Sequence, residues 1–305
     1  MSDQADGLRQ LVQARSGATA LADPPAAVRR PVVPAEARSL VLTSGKGGVG
    51  TSNLALNLAI ALGEAGQRVV LVDADLGLAN IDLLCGLAPA NDLGDVLAGD
   101  CPLVEALVAG PAGIRVLPGA HGMRTLVEVL GAGPARLVAE LAELEAGADF
   151  VLVDGGSGLG TGAATLAAAA DEVVIVTTPE PTSVADAHAV IGRFRRPAAA
   201  PRLRAIVNQA ASAAEADDVL VRLGASSRQF LGTVVTALGH VRADPHVPLA
   251  VRARRPFVVA YPGSVAARGV RRLAATLIDE RQPRNRRPGF FTALAARWAL
   301  SRVAR

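Results

Sequence analysis

The sequence predicts an α/β fold: a single doubly wound, mostly parallel sheet with helices on both faces. Three observations point there. From about Ser39 onward, short apolar runs alternate with stretches of helical spacing. Several of those runs end in an acid, an amide or a glycine-rich turn. Aromatics make up only 3% of the chain, so Ala, Val, Leu and Gly must fill the core. Alternation of this kind implies strand–helix–strand crossovers, and strands covered on both faces read as continuous apolar runs. A chain of 305 residues, half of them hydrophobic, has room for one domain of roughly 200–250 residues plus tails.

The expected strands are SLVLTS (39–44), RVVLVDAD (68–75), IRVLPG (114–119), DFVLVDGG (149–156), DEVVIVTTPE (171–180), LRAIVNQ (203–209) and FLGTVV (230–235). NLALNLAIALGEAG (53–66) has helical spacing and stops at Gly66; further helices are expected around 134–147, 160–170, 183–195 and 263–280. Residues 1–15 read as a short helix, and 16–38, rich in Ala, Pro, Gly and Arg, as a linker. The domain is expected over 39–281, followed by a polar linker at 282–289 and a last helix at 290–305. In parallel sheets, ligands sit outside the carboxyl ends of the strands. That rule gathers Ser44–Ser52, Asp73–Asp75, Asp154 and Asn208.

Composition narrows the class. No apolar run is long enough to span a membrane, and the acidic, polar opening MSDQADGLRQ lacks the features of a secretory signal. Cys85 and Cys101 form no CxxC and no metal spacing, as expected for a reducing, cytoplasmic compartment. The net charge of +3 is unevenly spread: residues 241–305 hold 14 Arg against Asp244, Asp279 and Glu280. A basic end points to an anionic surface. Of the 31 basic residues, Lys46 is the only lysine. A compact ammonium kept where every other base is Arg suggests a site that needs a point charge.

That lysine lies in Ser44-Gly45-Lys46-Gly47-Gly48-Val49-Gly50-Thr51-Ser52, between an expected strand and an expected helix. Glycines let backbone amides wrap a phosphate, and the helix N-terminus adds partial positive charge. Ser52 is placed to give its hydroxyl to Mg²⁺, whereas Thr51 stands where the GxxxxGK[ST] pattern has lysine. This loop resembles the deviant Walker A loop of the MinD/ParA superfamily of P-loop ATPases, whose additional lysine, at the position of Lys46, reaches across an ATP-bound dimer to the other subunit's phosphates. The resemblance implies a catalytic role for Lys46 and for Asp75, which would position the attacking water. It implies nucleotide binding by Gly45, Lys46, Gly47, Gly48, Val49, Gly50, Thr51 and Ser52, adenine reading by Asn208, and a Mg²⁺ site at Ser52, Asp73 and Asp154. The loss of lysine at Thr51 puts turnover in question.

Within that superfamily, Asp3-Gln4-Ala5-Asp6-Gly7-Leu8-Arg9 matches the DQAxxLR signature of the flagellar number and placement regulators FlhG, FleN and YlxH. VVTTPEPTSVADAHAVI (174–190) and residues 239–274 are similar to that family as well. The resemblance implies a homodimer formed on ATP binding and an N-terminal segment, with Gln4, Leu8 and Arg9, that acts on the signal-recognition-type GTPase FlhF. Phe290, Phe291, Leu294 and Trp298 share one helical stripe, edged by Arg297 and Arg302. It resembles the interfacial helices with which MinD-like proteins reach the inner face of the cell membrane. Two other readings follow from the same residues. Thr51 suggests a pseudo-ATPase scaffold working through the N-terminal helix. The basic end suggests a DNA-partition or septum-positioning ATPase, although no specific nucleic acid is expected.

Overall fold

The computed structural model describes residues 37–75, 79–119, 135–157, 161–194, 201–280 and 288–303. The expected N-terminal helix with Gln4, Leu8 and Arg9, most of its linker, and residues 282–287 lie outside them. Eight strands form one sheet: β1 (Arg38–Ser44), β2 (Val69–Asp73), β3 (Val108–Ala109), β4 (Arg115–Leu117), β5 (Phe150–Ser157), β6 (Glu172–Thr177), β7 (Arg202–Ala210) and β8 (Val235–Arg242). Their order is β3-β4-β2-β5-β1-β6-β7-β8, and every pairing is parallel except β3 with β4. The expected α/β, mostly parallel sheet is therefore present.

Its central strands are apolar throughout because both faces are covered. Successive side chains alternate between two cores. Leu40, Leu42, Leu71, Phe150, Leu152 and Val174 join one core with helices α1 (Thr51–Glu64) and α11 (Val265–Asp279). Val41, Val70, Val72, Val151 and Val153 join another with α5 (Ala135–Ala146), α6 (Thr161–Ala169) and α12 (Phe290–Val303). Between α1 and α5 the chain makes the short helices α2 (Ile81–Cys85), α3 (Leu93–Ala98) and α4 (Leu103–Ala106). Beyond β6 lie α7 (Pro181–Arg193), α8 (Ala213–Leu231), α9 (His246–Arg252) and α10 (Phe257–Ala260).

Two expectations are corrected here. FLGTVV is not a strand: Phe230 and Leu231 close the 19-residue α8, Gly232 ends it in the left-handed conformation at φ 61°, and β8 begins at Val235. Arg38, expected in the linker, is the first residue of β1. It is buried, with its guanidinium on Glu172 at 2.5 Å.

The last helix is the third correction. Phe290, Phe291 and Leu294, the stripe expected to meet lipid, are buried against α5 and α6. The buried Glu145 carboxylate accepts the Phe290 amide at 2.7 Å and the Phe291 amide at 3.2 Å, satisfying free N–H groups at the start of α12. Gly289 leaves room for that carboxylate, since a Cβ there would stand 2.7 Å from a Glu145 oxygen. The Trp298 side chain is not among the described ones. Phe291→Ala is expected to cost about 3–5 kcal/mol, as for other buried Phe truncations. Urea unfolding of the free protein checks it; a helix used only for lipid would show no loss in solution.

Candidate nucleotide-binding site

The carboxyl ends of β1, β2, β5, β6 and β7 meet around the loop that joins β1 to α1. Gly50 takes φ 92° immediately before α1, a left-handed conformation suited to Gly. A Cβ at Gly50 would lie 2.6 Å from Asn208 Nδ2, and Asn208 Nδ2 donates to the Val49 carbonyl at 2.7 Å. So the end of β7 is stitched to the loop. Gly45 is packed equally closely on α7: a Cβ there would stand 2.4 Å from the Asp186 carbonyl oxygen.

Inside the loop, the buried Thr51 hydroxyl donates to Ser44 Oγ at 3.0 Å, and Ser44 Oγ donates to the Lys46 carbonyl at 3.0 Å. Lys46 itself is exposed. Its Nζ lies 2.7 Å from Glu180 Oε2 and donates to Thr182 Oγ1 at 3.4 Å. The hydrogen bond and charge of Glu180 hold the Lys46 ammonium above its ordinary pKa. Glu180 and Thr182 carried no assigned role in the sequence. Their signal was position, just beyond the carboxyl end of β6.

The three acids also converge. Asp73 and Asp154 are paired in register across β2 and β5, and both are buried. Asp73 Oδ2 accepts the amides of Asn80 and Ile81 at 2.9 and 3.1 Å, and Oδ1 accepts the Asp75 amide at 3.2 Å. Its carboxylate thus shapes the segment leading into α2. Burial pushes the Asp73 carboxyl up to about 7, helped by the neighbouring Asp154 and opposed by those amides. Burial likewise raises Asp154 to about 6, opposed by the Ser52 hydroxyl and the Gly156 amide. Gly156, at φ 64°, admits Asp75: a Cβ there would fall 2.3 Å from Asp75 Oδ2.

These positions suit a hard cation. Asp154 Oδ2 is buried with no hydrogen-bond partner, a costly arrangement unless water or an ion supplies one. Among the described residues no group of three or more His, Cys, Asp or Glu side chains is arranged to hold a metal. Ser52 and Asp154 would therefore share the ion with phosphate and water oxygens, as Mg²⁺ sites commonly do.

The raised carboxyls have a pH consequence. Between about pH 4 and pH 7 the folded protein keeps protons that the unfolded chain has released, so stability falls as pH rises through that window. Asp154→Asn removes part of this cost. Without nucleotide or Mg²⁺, the variant is expected to exceed the wild type in stability at pH 8, with the gap closing towards pH 5. Thermal melts across that range check it; parallel curves would be the contrary result.

Beside the loop lies a cavity of about 670 Å³, lined by Gly50, Asn53, Leu54, Asn208, Val247 and Phe257 among others. Its apolar walls with a few polar groups suit a planar base. Asp244, at its rim, accepts the amides of His246 and Ala266, both at 2.9 Å, and so fixes α9 and α11 together.

A glycine loop between a strand and a helix N-terminus, with carboxylates at neighbouring strand ends, defines a P-loop nucleotide-binding protein. Comparison with known proteins refines this. An AAA domain family matches residues 37–197. The chain is 36% identical over 248 residues to the antiactivator FleN of Pseudomonas aeruginosa, covering 81% of this chain and 89% of that protein. It is 37% identical over 152 residues to the flagellum site-determining protein YlxH of Helicobacter pylori, covering 50% of this chain and 52% of that one. The septum site-determining protein MinD complexed with Mg-ADP, from Pyrococcus horikoshii, has a TM-score of 0.64 at 30% identity over 80% of this chain and 96% of that chain. The chain belongs to the MinD/ParA superfamily of P-loop ATPases, close to the FlhG/FleN flagellar regulators.

Proposed function

We propose that this protein is an ATP·Mg²⁺-dependent dimeric switch that regulates flagellar placement or number. The observation that carries it is the lone lysine. Lys46 is held out on the exposed Glu180, at the rim of a loop that otherwise has the shape of a phosphate cradle. An amine so placed is positioned to serve a second copy. The similarity to FleN over most of both chains supports the flagellar role.

In this reading the amides from Gly47 to Ser52 and the N-terminus of α1 hold the phosphates. Asn208 turns its carbonyl oxygen to the base, its amide being taken by Val49. Mg²⁺, held by Ser52 and Asp154 with Asp73 behind them, would neutralise phosphate charge. Asp75, resting over Gly156, orients the attacking water. Turnover is slow, because Thr51 brings no charge to the phosphates.

Association with the inner face of the cell membrane would need α12 to leave its groove, because Phe290, Phe291 and Leu294 are covered when docked. No described helix is long and apolar enough to cross a membrane. The N-terminal segment with Gln4, Leu8 and Arg9 would act on the GTPase FlhF. A second reading, a scaffold with no turnover, draws support from the bond that ties Thr51 to Ser44.

Sedimentation velocity with ATP·Mg²⁺ and with ADP, alongside phosphate release, tests the proposal. ATP alone should give a dimer, and Asp75→Ala should keep the dimer while losing turnover. A monomer under both nucleotides would end the switch reading. A dimer without turnover would favour the scaffold.

A further inference from the structure

We propose that the phosphate loop of this chain holds no cation of its own, so that tight binding of the nucleoside triphosphate requires Lys46 from a second copy. Nucleotide affinity and dimerisation are then a single linked equilibrium. This rests on the dimeric reading above and adds to it how the site is regulated.

Three observations carry the inference. First, Thr51 occupies the loop position of a phosphate-binding lysine, and its hydroxyl is spent within the protein. It donates to Ser44, and Ser44 donates to the Lys46 carbonyl. That relay stiffens the loop and brings no charge to a ligand. Second, the only lysine is turned to the outside. Its ammonium rests on Glu180 and Thr182, and the preceding Gly45 is pressed on the backbone of α7 at Asp186. The contact at Gly45 fixes where the Lys46 side chain starts, on the α7 side of the loop. Third, the arginines lining the adjoining cavity, Arg242 and Arg252, come from β8 and α9 at the base end, and Arg242 Nε already bonds the Ala211 carbonyl.

What remains for the phosphates is the set of loop amides and the N-terminal dipole of α1, equivalent to roughly half a positive charge. A diphosphate asks less of such a site than a triphosphate. An exposed ion pair such as Lys46–Glu180 is screened by water and salt, so it exchanges readily for a stronger anion. Two copies facing each other would trade both such pairs for contacts to the opposite triphosphates. Linkage then requires that whatever tightens the dimer tightens the nucleotide by the same factor.

The test is an equilibrium titration of full-length protein with a fluorescent, slowly hydrolysed ATP analogue and Mg²⁺. Protein concentrations should run from well below to well above the dimerisation range, which sedimentation velocity fixes on the same samples. The apparent Kd is expected to fall at least tenfold as protein enters the dimer range, whereas the ADP analogue shows no such trend. Lys46→Ala should bind the ATP analogue weakly at every concentration. Thr51→Lys should bind it tightly even where the protein is monomeric. If Thr51→Lys does not fold, as judged by its circular dichroism melt, the wild-type series and Lys46→Ala decide alone. Tight, concentration-independent binding by wild-type monomers that still dimerise would overturn the inference and leave the switch intact. Absence of a dimer at any concentration would remove both.

Discussion

Arg204→Ala is expected to destabilise the protein by about 3–5 kcal/mol, the usual cost of breaking a buried ion pair from one side. Arg204 is 2% exposed on a central strand. Its Nη1 lies 2.6 Å from Glu280 Oε2 and 3.7 Å from Glu172 Oε2, and its Nη2 donates to the Ala237 carbonyl at 3.2 Å. Glu172 is buried too and leans on Arg38, whose Nη1 donates to the Leu277 carbonyl at 2.6 Å. The network therefore fastens the end of α11 to the amino ends of β1, β6 and β7. Truncation leaves Glu280 without this partner and Glu172 with less positive charge around it. In a domain of this size, each kcal/mol moves the melting point by about 2–4 °C, so a fall on the order of 10 °C is expected. A change below about 1 kcal/mol would mean that water enters the network and solvates it.

Gly50→Ala should weaken nucleotide binding by about 10- to 100-fold. An L-residue forced to φ 92° pays roughly 1–2 kcal/mol. The new Cβ would also stand 2.6 Å from Asn208 Nδ2, so the Asn208–Val49 bond would break or the loop would shift. Each 1.4 kcal/mol lost from binding is about tenfold in Kd. Gly66→Ala is the control. It too has a positive φ, 79°, yet no atom lies within 4 Å of its added Cβ. It should lower stability without touching affinity, and equal affinity losses in the two variants would refute the local account.

The central strands were legible because burial on two faces leaves an unbroken apolar run, as in VVLVD and EVVIVT. The carboxyl-end rule then placed the loop, the three acids and Asn208 together. The misses have physical causes. The buried stripe of α8 is Ala216, Val219, Leu223 and Ser227, and two of those four are too small or polar to read as a core face. Strand β8 lies at the sheet edge, with only Leu238 and Val241 fully buried, so it lacks the apolar run of its neighbours. The stripe in α12 was visible, but what covers it was not. Glu145, which caps that helix, is 145 residues away from Phe290 in the chain. The partners of Lys46 were hidden for the same reason: Glu180 lies 134 residues further on.

The solitary lysine also makes the protein chemically addressable. Amine-directed acylation can modify one side chain only, apart from the chain's own terminal amine. While Glu180 holds that amine protonated, it is a poor nucleophile, and whatever draws it off Glu180 alters its reactivity. The phosphate loop thus carries its own reporter, readable by mass as a single adduct without introducing a foreign probe.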